Sequence, residues 1–175
     1  MSREGIRALL LGGNRRSIGR SAEAAARAAA DPARFAELMH CLWDRDPLIA
    51  TRAADAAEKV TRTHPAALEA FKAELLGLLA ETQQAELRWH LAAMVPRLRL
   101  SARQRREAAA VLRNYLLDRR SIVKTFALQG LFDLAREDKG MRPAVTEILR
   151  TAARAGTAAM RARARRLLGE VERKG

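Results

Sequence analysis

Apolar residues recur along the chain every three to four positions, which is the spacing of amphipathic helices. No stretch shows the alternation of apolar and polar residues that marks a strand. Alanine, leucine, arginine and glutamate dominate these stretches, and all four lose little side-chain freedom in a helix. The pattern therefore predicts an all-α protein. Ten helices are expected, at 2–11, 16–30, 33–43, 47–63, 65–80, 85–98, 101–117, 119–136, 141–154 and 157–172.

Proline placement supports these boundaries. Pro32, Pro47, Pro65 and Pro143 each stand where a helix is predicted to begin. A proline in the first helical turn loses no hydrogen bond, because that N–H has no partner within the helix. Pro96 lies near the end of a helical pattern and is predicted to stop or kink that helix.

A similar stretch also recurs along the chain, at 87–95, 123–131 and 160–168, and more loosely at 51–60. In the three closer copies a basic residue follows an apolar one, and small or apolar residues come after it. The basic residues are Arg52, Arg88, Lys124 and Arg161, at spacings of 36, 36 and 37. A period of this length is typical of stacked helical repeats.

With the turn acids Asp46 and Asp118, this pattern resembles the HEAT-repeat family, and specifically bacterial HEAT-like repeat proteins. The resemblance implies a right-handed α–α superhelix of four to five antiparallel helix pairs. It also implies that the basic residues tie neighbouring repeats together by pairing with turn acids, Arg52 with Asp46 among them. One domain is then expected over 1–175, with a degraded N-terminal cap at 1–32 and repeats at 33–64, 65–100, 101–140 and 141–175.

In such repeats the positions after the basic residue tend to face the concave side of the solenoid. The resemblance therefore places a partner-binding groove there, formed by Trp89, His90, Gln129, Arg163 and Arg166. An aromatic side chain beside cationic groups can anchor a peptide or stack on a base. In the alternative interpretation, Trp89 wedges between repeats and His90 hydrogen-bonds a neighbouring turn.

The net charge and its distribution along the chain are a second feature of the sequence. The chain has 33 Lys and Arg against 20 Asp and Glu, a net charge of +13. The ends are basic: residues 1–30 carry +4, residues 101–140 carry +4 and residues 141–175 carry +6, whereas 31–100 is close to neutral. Such a field attracts phosphates, acidic proteins or anionic membrane surfaces. A GC-rich coding sequence and a solvated terminal repeat are the alternative explanation.

Candidate chemistry is sparse. Cys41 is the only cysteine, which excludes a disulfide within the chain and a multi-cysteine zinc site. Cys41 is expected to be buried, and with His40 and Asp44 it makes an incomplete metal site or a weak Cys–His pair. Gly12-Gly13-Asn14 is expected to be a turn, since no P-loop lysine follows it. We therefore predict no catalytic residue, no metal site and no cofactor.

The sequence favours a non-enzymatic interaction module that binds a protein or peptide partner. A nucleic-acid-binding solenoid is the alternative, with fold-level likeness to HEAT-like alkylpurine DNA glycosylases and with Trp43, Asp44, Arg88 and Trp89 as its candidate residues. A scaffold that docks on an acidic partner through its basic C-terminal helix is a third. No apolar run is long enough to span a membrane and no secretory signal is evident, so a bacterial cytoplasmic location is expected.

Overall fold

A computed structural model describes residues 4–12 and 20–173. Every regular element within these ranges is helical, which confirms the all-α prediction. The ten α-helices of this part are α1 Ile6–Leu10, α2 Ser21–Ala30, α3 Pro32–His40, α4 Pro47–Thr61, α5 Lys72–Glu81, α6 Ala85–Met94, α7 Ala102–Tyr115, α8 Ser121–Arg136, α9 Arg142–Ala155 and α10 Ala158–Glu172. None of them is both long and apolar enough to cross a bilayer.

Short 3₁₀ segments account for most differences from the predicted boundaries. They span Cys41–Trp43, Pro65–Phe71, Val95–Arg97 and Lys139–Met141. Pro96 acts as predicted, because α6 ends at Met94 and the proline lies in the tighter turn that follows. Pro65 begins a 3₁₀ segment rather than an α-helix, so α5 starts only at Lys72.

Several of the helix starts are capped by local side chains. Asp31 and Asp46 each accept a hydrogen bond from the backbone N–H two residues later, at 2.9 Å in both cases. At the start of α7, Ser101 and Gln104 form a reciprocal capping box. These bonds satisfy amides that have no partner within the helix, so they fix where each helix begins.

The chain divides into two compact units, Met1–Glu74 and Leu75–Gly175. The division falls inside α5, and therefore inside the predicted repeat 65–100 rather than between two repeats. The expectation of a single repeat domain over the whole chain stays a prediction.

The first unit packs α1 to α4 around a core rich in small residues. Helix α2 contacts α1, α3 and α4, and α1 also contacts α3 and α4. The helix surfaces that meet are lined by alanines, including Ala24 and Ala28 of α2 and Ala53 and Ala57 of α4. Small side chains let helix axes approach closely, so this core needs few aromatic residues.

The second unit is built around a row of three helices. Helix α8 contacts α6 and α10, while α7 packs on α8 and α9 packs on both α8 and α10. Buried residues recur in this row with the sequence period, as in Leu91, Ala127 and Ala164, at spacings of 36 and 37. Successive helices of the row therefore use matching positions for their core.

Gly130 marks the tightest packing in this row. A Cβ atom at this position would lie 2.7 Å from the Ala92 carbonyl oxygen of α6 and 2.8 Å from Cδ1 of Leu112 in α7. Both distances are too short for non-bonded atoms. Only glycine lets α8 lie this close to its two neighbours.

Candidate binding site

The accessible side of the α6, α8 and α10 row carries residues that recur at a period of 37. Along α8 these are Phe126, Gln129 and Asp133, and along α10 they are Arg163, Arg166 and Glu170. Residues three and seven positions apart share one side of a helix, so both triplets form continuous stripes. We call this surface, together with Trp89 of α6, the α8 face.

An aromatic and cationic row crosses the α8 face. The rings of Trp89 and Phe126 lie 5.0 Å apart with an interplanar angle of 42°. The guanidinium carbon of Arg163 lies 5.3 Å from the centre of the Phe126 ring, within the range of a cation–π contact. These three side chains are half-buried, so each keeps part of its surface open to a ligand.

Gln129 connects Arg163 and Arg166 of α10, which we call the arginine pair. Its Oε1 accepts hydrogen bonds from Arg163 Nη1 at 3.0 Å and from Arg166 Nη2 at 2.7 Å. Its Nε2 donates to both carboxylate oxygens of Asp133, each at 3.1 Å. One neutral amide therefore holds two cations on one side and a carboxylate on the other.

The arginine pair has an unusual electrostatic environment. Burial lowers the pKa of Arg163, and the like charge of Arg166 lowers it further. Within residues 4–12 and 20–173, neither arginine has a carboxylate oxygen within 4.0 Å of its nitrogens. Their shared partner is the neutral oxygen of Gln129, which is a weaker acceptor than a carboxylate.

Asp133 closes the opposite end of the α8 face. Burial raises the pKa of its carboxyl and the charge of Glu170 adds to this increase, although the hydrogen bond from Gln129 and the charges of Arg136 and Arg97 oppose it. The face therefore changes from aromatic and basic at one end to acidic at the other.

His90 does not belong to this accessible surface, contrary to the sequence expectation. Its side chain is 1% exposed and lies on the side of α6 that also buries Leu87, Leu91 and Met94. The His90 ring still contacts the ring of the half-buried Trp89, with 3.4 Å between the ring centres and an interplanar angle of 31°, but it lies beneath the accessible surface. The other four predicted groove residues, Trp89, Gln129, Arg163 and Arg166, lie on the α8 face.

In the second unit the basic residues of the repeated stretch occupy equivalent positions in their helices. Arg88, Lys124 and Arg161 are each the fourth residue of their helix. Arg88 bonds Asp118 at 2.7 Å, across 30 residues of sequence, and its guanidinium lies 5.1 Å from the centre of the Tyr115 ring. Arg161 donates to the Gly156 carbonyl oxygen at 2.9 Å. Their partners thus differ although their positions match.

Arg52 is used differently from the expectation. Its guanidinium is buried and donates to the carbonyl oxygens of Leu10, at 2.6 Å, and of Gly12. Asp46 instead caps α4 through Leu48. The expected Arg52–Asp46 ion pair is absent from the described residues, because the capping role orients the aspartate toward its own helix.

The remaining candidate residues have structural partners. Cys41 is buried, as predicted, and burial followed by the charge of Asp44 raises its thiol pKa to about 11. The His40 ring packs edge-on against Phe71 at 6.0 Å. No cluster of three potential metal ligands occurs in the described part of the chain. Gly12 has a φ of 80°, which suits a turn, whereas Gly13 and Asn14 lie outside the described residues.

The residues of the glycosylase-like alternative fall into both units. Trp43 is 43% exposed and belongs to the first unit. Its neighbour Asp44 forms an ion pair with Arg7 at 2.6 Å, and this hydrogen bond holds the pKa of Asp44 below its usual range. Arg88 and Trp89 belong to the second unit, where Arg88 is engaged by Asp118.

Comparisons with known proteins give no relative: no family model, curated protein or solved structure matches this chain.

Three members of the α8 face were not selected from the sequence, namely Phe126, Asp133 and Glu170. The signal that finds them is the 37-residue period itself. Phe126 lies 37 residues after Trp89 and before Arg163, and Glu170 lies 37 residues after Asp133. Extending the spacing between α8 and α10 to every accessible position would have identified these three residues.

Proposed function

We propose that this protein is a non-enzymatic interaction module of the HEAT-repeat type, which acts in the bacterial cytoplasm and binds a protein or peptide partner. In this proposal the helix pairs form a right-handed solenoid and the α8 face is its concave, ligand-binding side. The order of packing in the second unit, with α6, α8 and α10 side by side, supports this arrangement.

The observation that carries the proposal is the composition of the α8 face. Two guanidinium groups share one neutral oxygen, beside two half-exposed aromatic rings. A surface that only needed to be soluble would gain stability by pairing these cations with carboxylates. Aromatic and arginine side chains are also the residues that contribute most to binding energy at protein interfaces.

The charge pattern favours a protein partner over a nucleic acid. Asp133 and Glu170 lie on the same stripes as the arginine pair, and Glu86 of α6 lies 3.7 Å from Arg120. A nucleic-acid backbone needs a row of cations that follows successive phosphates. The α8 face instead offers one cationic position between aromatic and acidic ones, which suits a peptide of mixed composition.

Selection from a random-peptide display library tests this proposal. The full chain is the target, and a Trp89→Ser, Phe126→Ser variant removes peptides that bind elsewhere. Trp43→Ser is the matched control, because Trp43 is an exposed tryptophan in the first unit. We expect enriched peptides to bind the wild type and the Trp43 variant but not the double variant. Peptides that bind all three proteins equally, or no enrichment at all, would refute the proposed site.

Nucleic acid remains the second candidate because of the basic C-terminal segment. Residues 141–175 carry nine basic and three acidic side chains, and Arg150, Arg154 and Arg165 are exposed. This candidate predicts that duplex or single-stranded oligonucleotides bind with an affinity that falls steeply between low and physiological salt. Fluorescence anisotropy at the two salt concentrations measures it, and binding that is absent at low salt eliminates it.

A further inference from the structure

We propose that the arginine pair is a carboxylate-binding site, and that the Gln129 amide occupies it until an aspartate or glutamate side chain of the partner arrives. This inference rests on the proposed function, because it names the group that the α8 face recognises. It adds a specific ligand chemistry, a role for Gln129 and a sequence requirement on the partner.

The orientation of the Gln129 amide is determined by its neighbours. Arginine offers only donors and an ionised aspartate offers only acceptors. The amide oxygen must therefore face Arg163 and Arg166, and the amide nitrogen must face Asp133, as the contacts of 2.7–3.1 Å show. The amide thus satisfies both charged groups without neutralising either of them.

A carboxylate would suit the arginine pair better than this amide does. The bonds to Gln129 are charge-assisted by the guanidinium groups alone, whereas a carboxylate would place a negative charge on the acceptor as well. A carboxylate also has two oxygens, so each guanidinium could bond its own acceptor instead of sharing one. Finally, an anion between the two cations offsets the repulsion by Arg166, which adds to the effect of burial in lowering the pKa of Arg163.

The surroundings favour a carboxylate over a phosphate. Asp133 lies on the far side of Gln129, and Glu170 lies one further turn along α10 from Arg166. These two negative charges oppose a phosphate dianion more strongly than a carboxylate monoanion. The two positive and two negative charges of these stripes already cancel, so a ligand that adds one negative charge disturbs the balance less than a ligand that adds two.

The aromatic row sets the second requirement on the partner. Phe126 lies 5.3 Å from the Arg163 guanidinium and 5.0 Å from Trp89, so the apolar surface begins next to the carboxylate site. In an extended peptide, side chains on the same side are about 6.6 Å apart, two residues along the chain. The preferred ligand therefore has a large apolar side chain two positions from its acidic residue.

Three capped peptides labelled with a fluorophore test this inference by anisotropy. All three begin with leucine and serine. They differ in the third residue, which is aspartate, asparagine or phosphoserine. We expect the aspartate peptide to bind about tenfold more tightly than the asparagine peptide, because asparagine lacks the negative charge that faces the two guanidinium groups. Equal affinity of these two peptides, or tighter binding of the phosphoserine peptide, would overturn the carboxylate assignment.

Variants of the protein test the role of Gln129. Gln129→Glu places a carboxylate permanently between the arginines, so it should abolish the preference for aspartate over asparagine. Arg163→Met with Arg166→Met should abolish the same preference. Arg165→Met is the matched control, since Arg165 is an exposed arginine of the same helix outside the face, and it should keep the preference. A Gln129→Glu protein that still prefers aspartate would refute the proposal that Gln129 occupies the carboxylate site in the free protein.

The two proposals fail in different ways. If selected peptides need Trp89 and Phe126 but ignore the arginine variants, the α8 face is a binding surface and the carboxylate site is wrong. If the Trp89 and Phe126 variant leaves all peptide binding unchanged, the proposed function itself fails.

Discussion

The two units differ in how one pair of arginines is compensated. In the first unit, cations are paired with nearby carboxylates, as in Arg7 with Asp44, Arg34 with Glu37 and Arg62 with Glu58. Its buried Arg52 is held by backbone carbonyl oxygens. In the second unit, Arg88 is likewise engaged by Asp118, but the arginine pair of α10 shares a neutral amide.

This difference separates charges that hold the fold together from charges that are available for a ligand. A paired or buried guanidinium is already compensated, and removing it leaves an unsatisfied partner. A guanidinium bound to a shared neutral oxygen still gains from meeting an anion. The comparison therefore predicts that stability depends on arginines such as Arg52, and that binding depends on Arg163 and Arg166.

The largest effect is expected from Arg52→Met in the first unit. The methionine keeps part of the apolar stem but leaves the carbonyl oxygens of Leu10 and Gly12 without their donor, at a cost of about 2–4 kcal/mol. Urea unfolding followed by Trp43 fluorescence, in a Trp89→Phe background, measures this loss. Arg45→Met, at an exposed arginine, should change the free energy of unfolding by less than about 0.5 kcal/mol. Similar values for the two variants would show that Arg52 is not structural.

A smaller loss is expected from Asp118→Asn, which weakens the bond to Arg88 by about 1–2 kcal/mol. Burial raises the pKa of Asp118, but hydrogen bonds from the Arg120 amide and the Arg88 side chain outweigh it and hold the pKa below its usual range. The stabilisation is therefore present above the unfolded-state pKa of about 3.9 and is lost as pH falls through the lower folded-state value. The difference between wild type and variant, measured through Trp89 fluorescence, should shrink in acid. A difference that does not depend on pH would contradict this.

Asp133→Asn should change the free energy of unfolding in the opposite direction and by a smaller amount. Because burial raises the pKa of Asp133, its ionisation costs stability as pH rises through the folded-state value. The variant avoids this cost and keeps an oxygen that accepts from Gln129, so we expect it to be more stable at pH 7 by about 0.5 kcal/mol. Thermal unfolding at pH 7 and pH 3 measures this, and the gain should vanish at pH 3. A variant that is less stable at pH 7 would show that the ionised carboxylate stabilises the face.

The smallest stability effect is expected from Arg163→Met combined with Arg166→Met. The variant loses the bonds to Gln129 and the contact of Arg163 with Phe126, but relief of the repulsion between the two cations offsets these losses, so the free energy of unfolding should change by less than about 0.5 kcal/mol. Urea unfolding followed by Trp89 fluorescence measures this change. A loss as large as that of Arg52→Met would mean that the arginine pair is structural and would remove the contrast between the two units.

The helices were predictable because local chemistry determines them. Apolar spacing, first-turn prolines and capping residues such as Asp31 and Ser101 all act within a few residues of the helix they specify. The 3₁₀ segments were not predicted, because a switch from α to 3₁₀ geometry depends on tertiary packing rather than on composition. The division inside α5 was missed for a similar reason, since no proline, glycine cluster or charge change marks it in the sequence.

The candidate site was predictable where the repeat period applied. The 36- to 37-residue spacing placed Trp89, Gln129, Arg163 and Arg166 on related positions, and the structure brings the last three into direct contact. It failed for His90, because the sequence does not fix helix rotation to within one residue. For Arg52 it did not identify the partners, because these are backbone carbonyl oxygens at Leu10 and Gly12, which carry no side-chain signal.

The indole N–H signals of the two tryptophans give the most direct test of the central claim, that the second unit carries a binding surface and the first does not. Trp89 lies on the α8 face, and Trp43 is an exposed tryptophan of the first unit, so each reports on its own surroundings. Titration of the ¹⁵N-labelled protein with the leucine–serine–aspartate peptide should shift the Trp89 signal in a saturable manner and leave the Trp43 signal in place. A shift of Trp43 with no shift of Trp89, or no shift of either signal at millimolar peptide, would contradict the account.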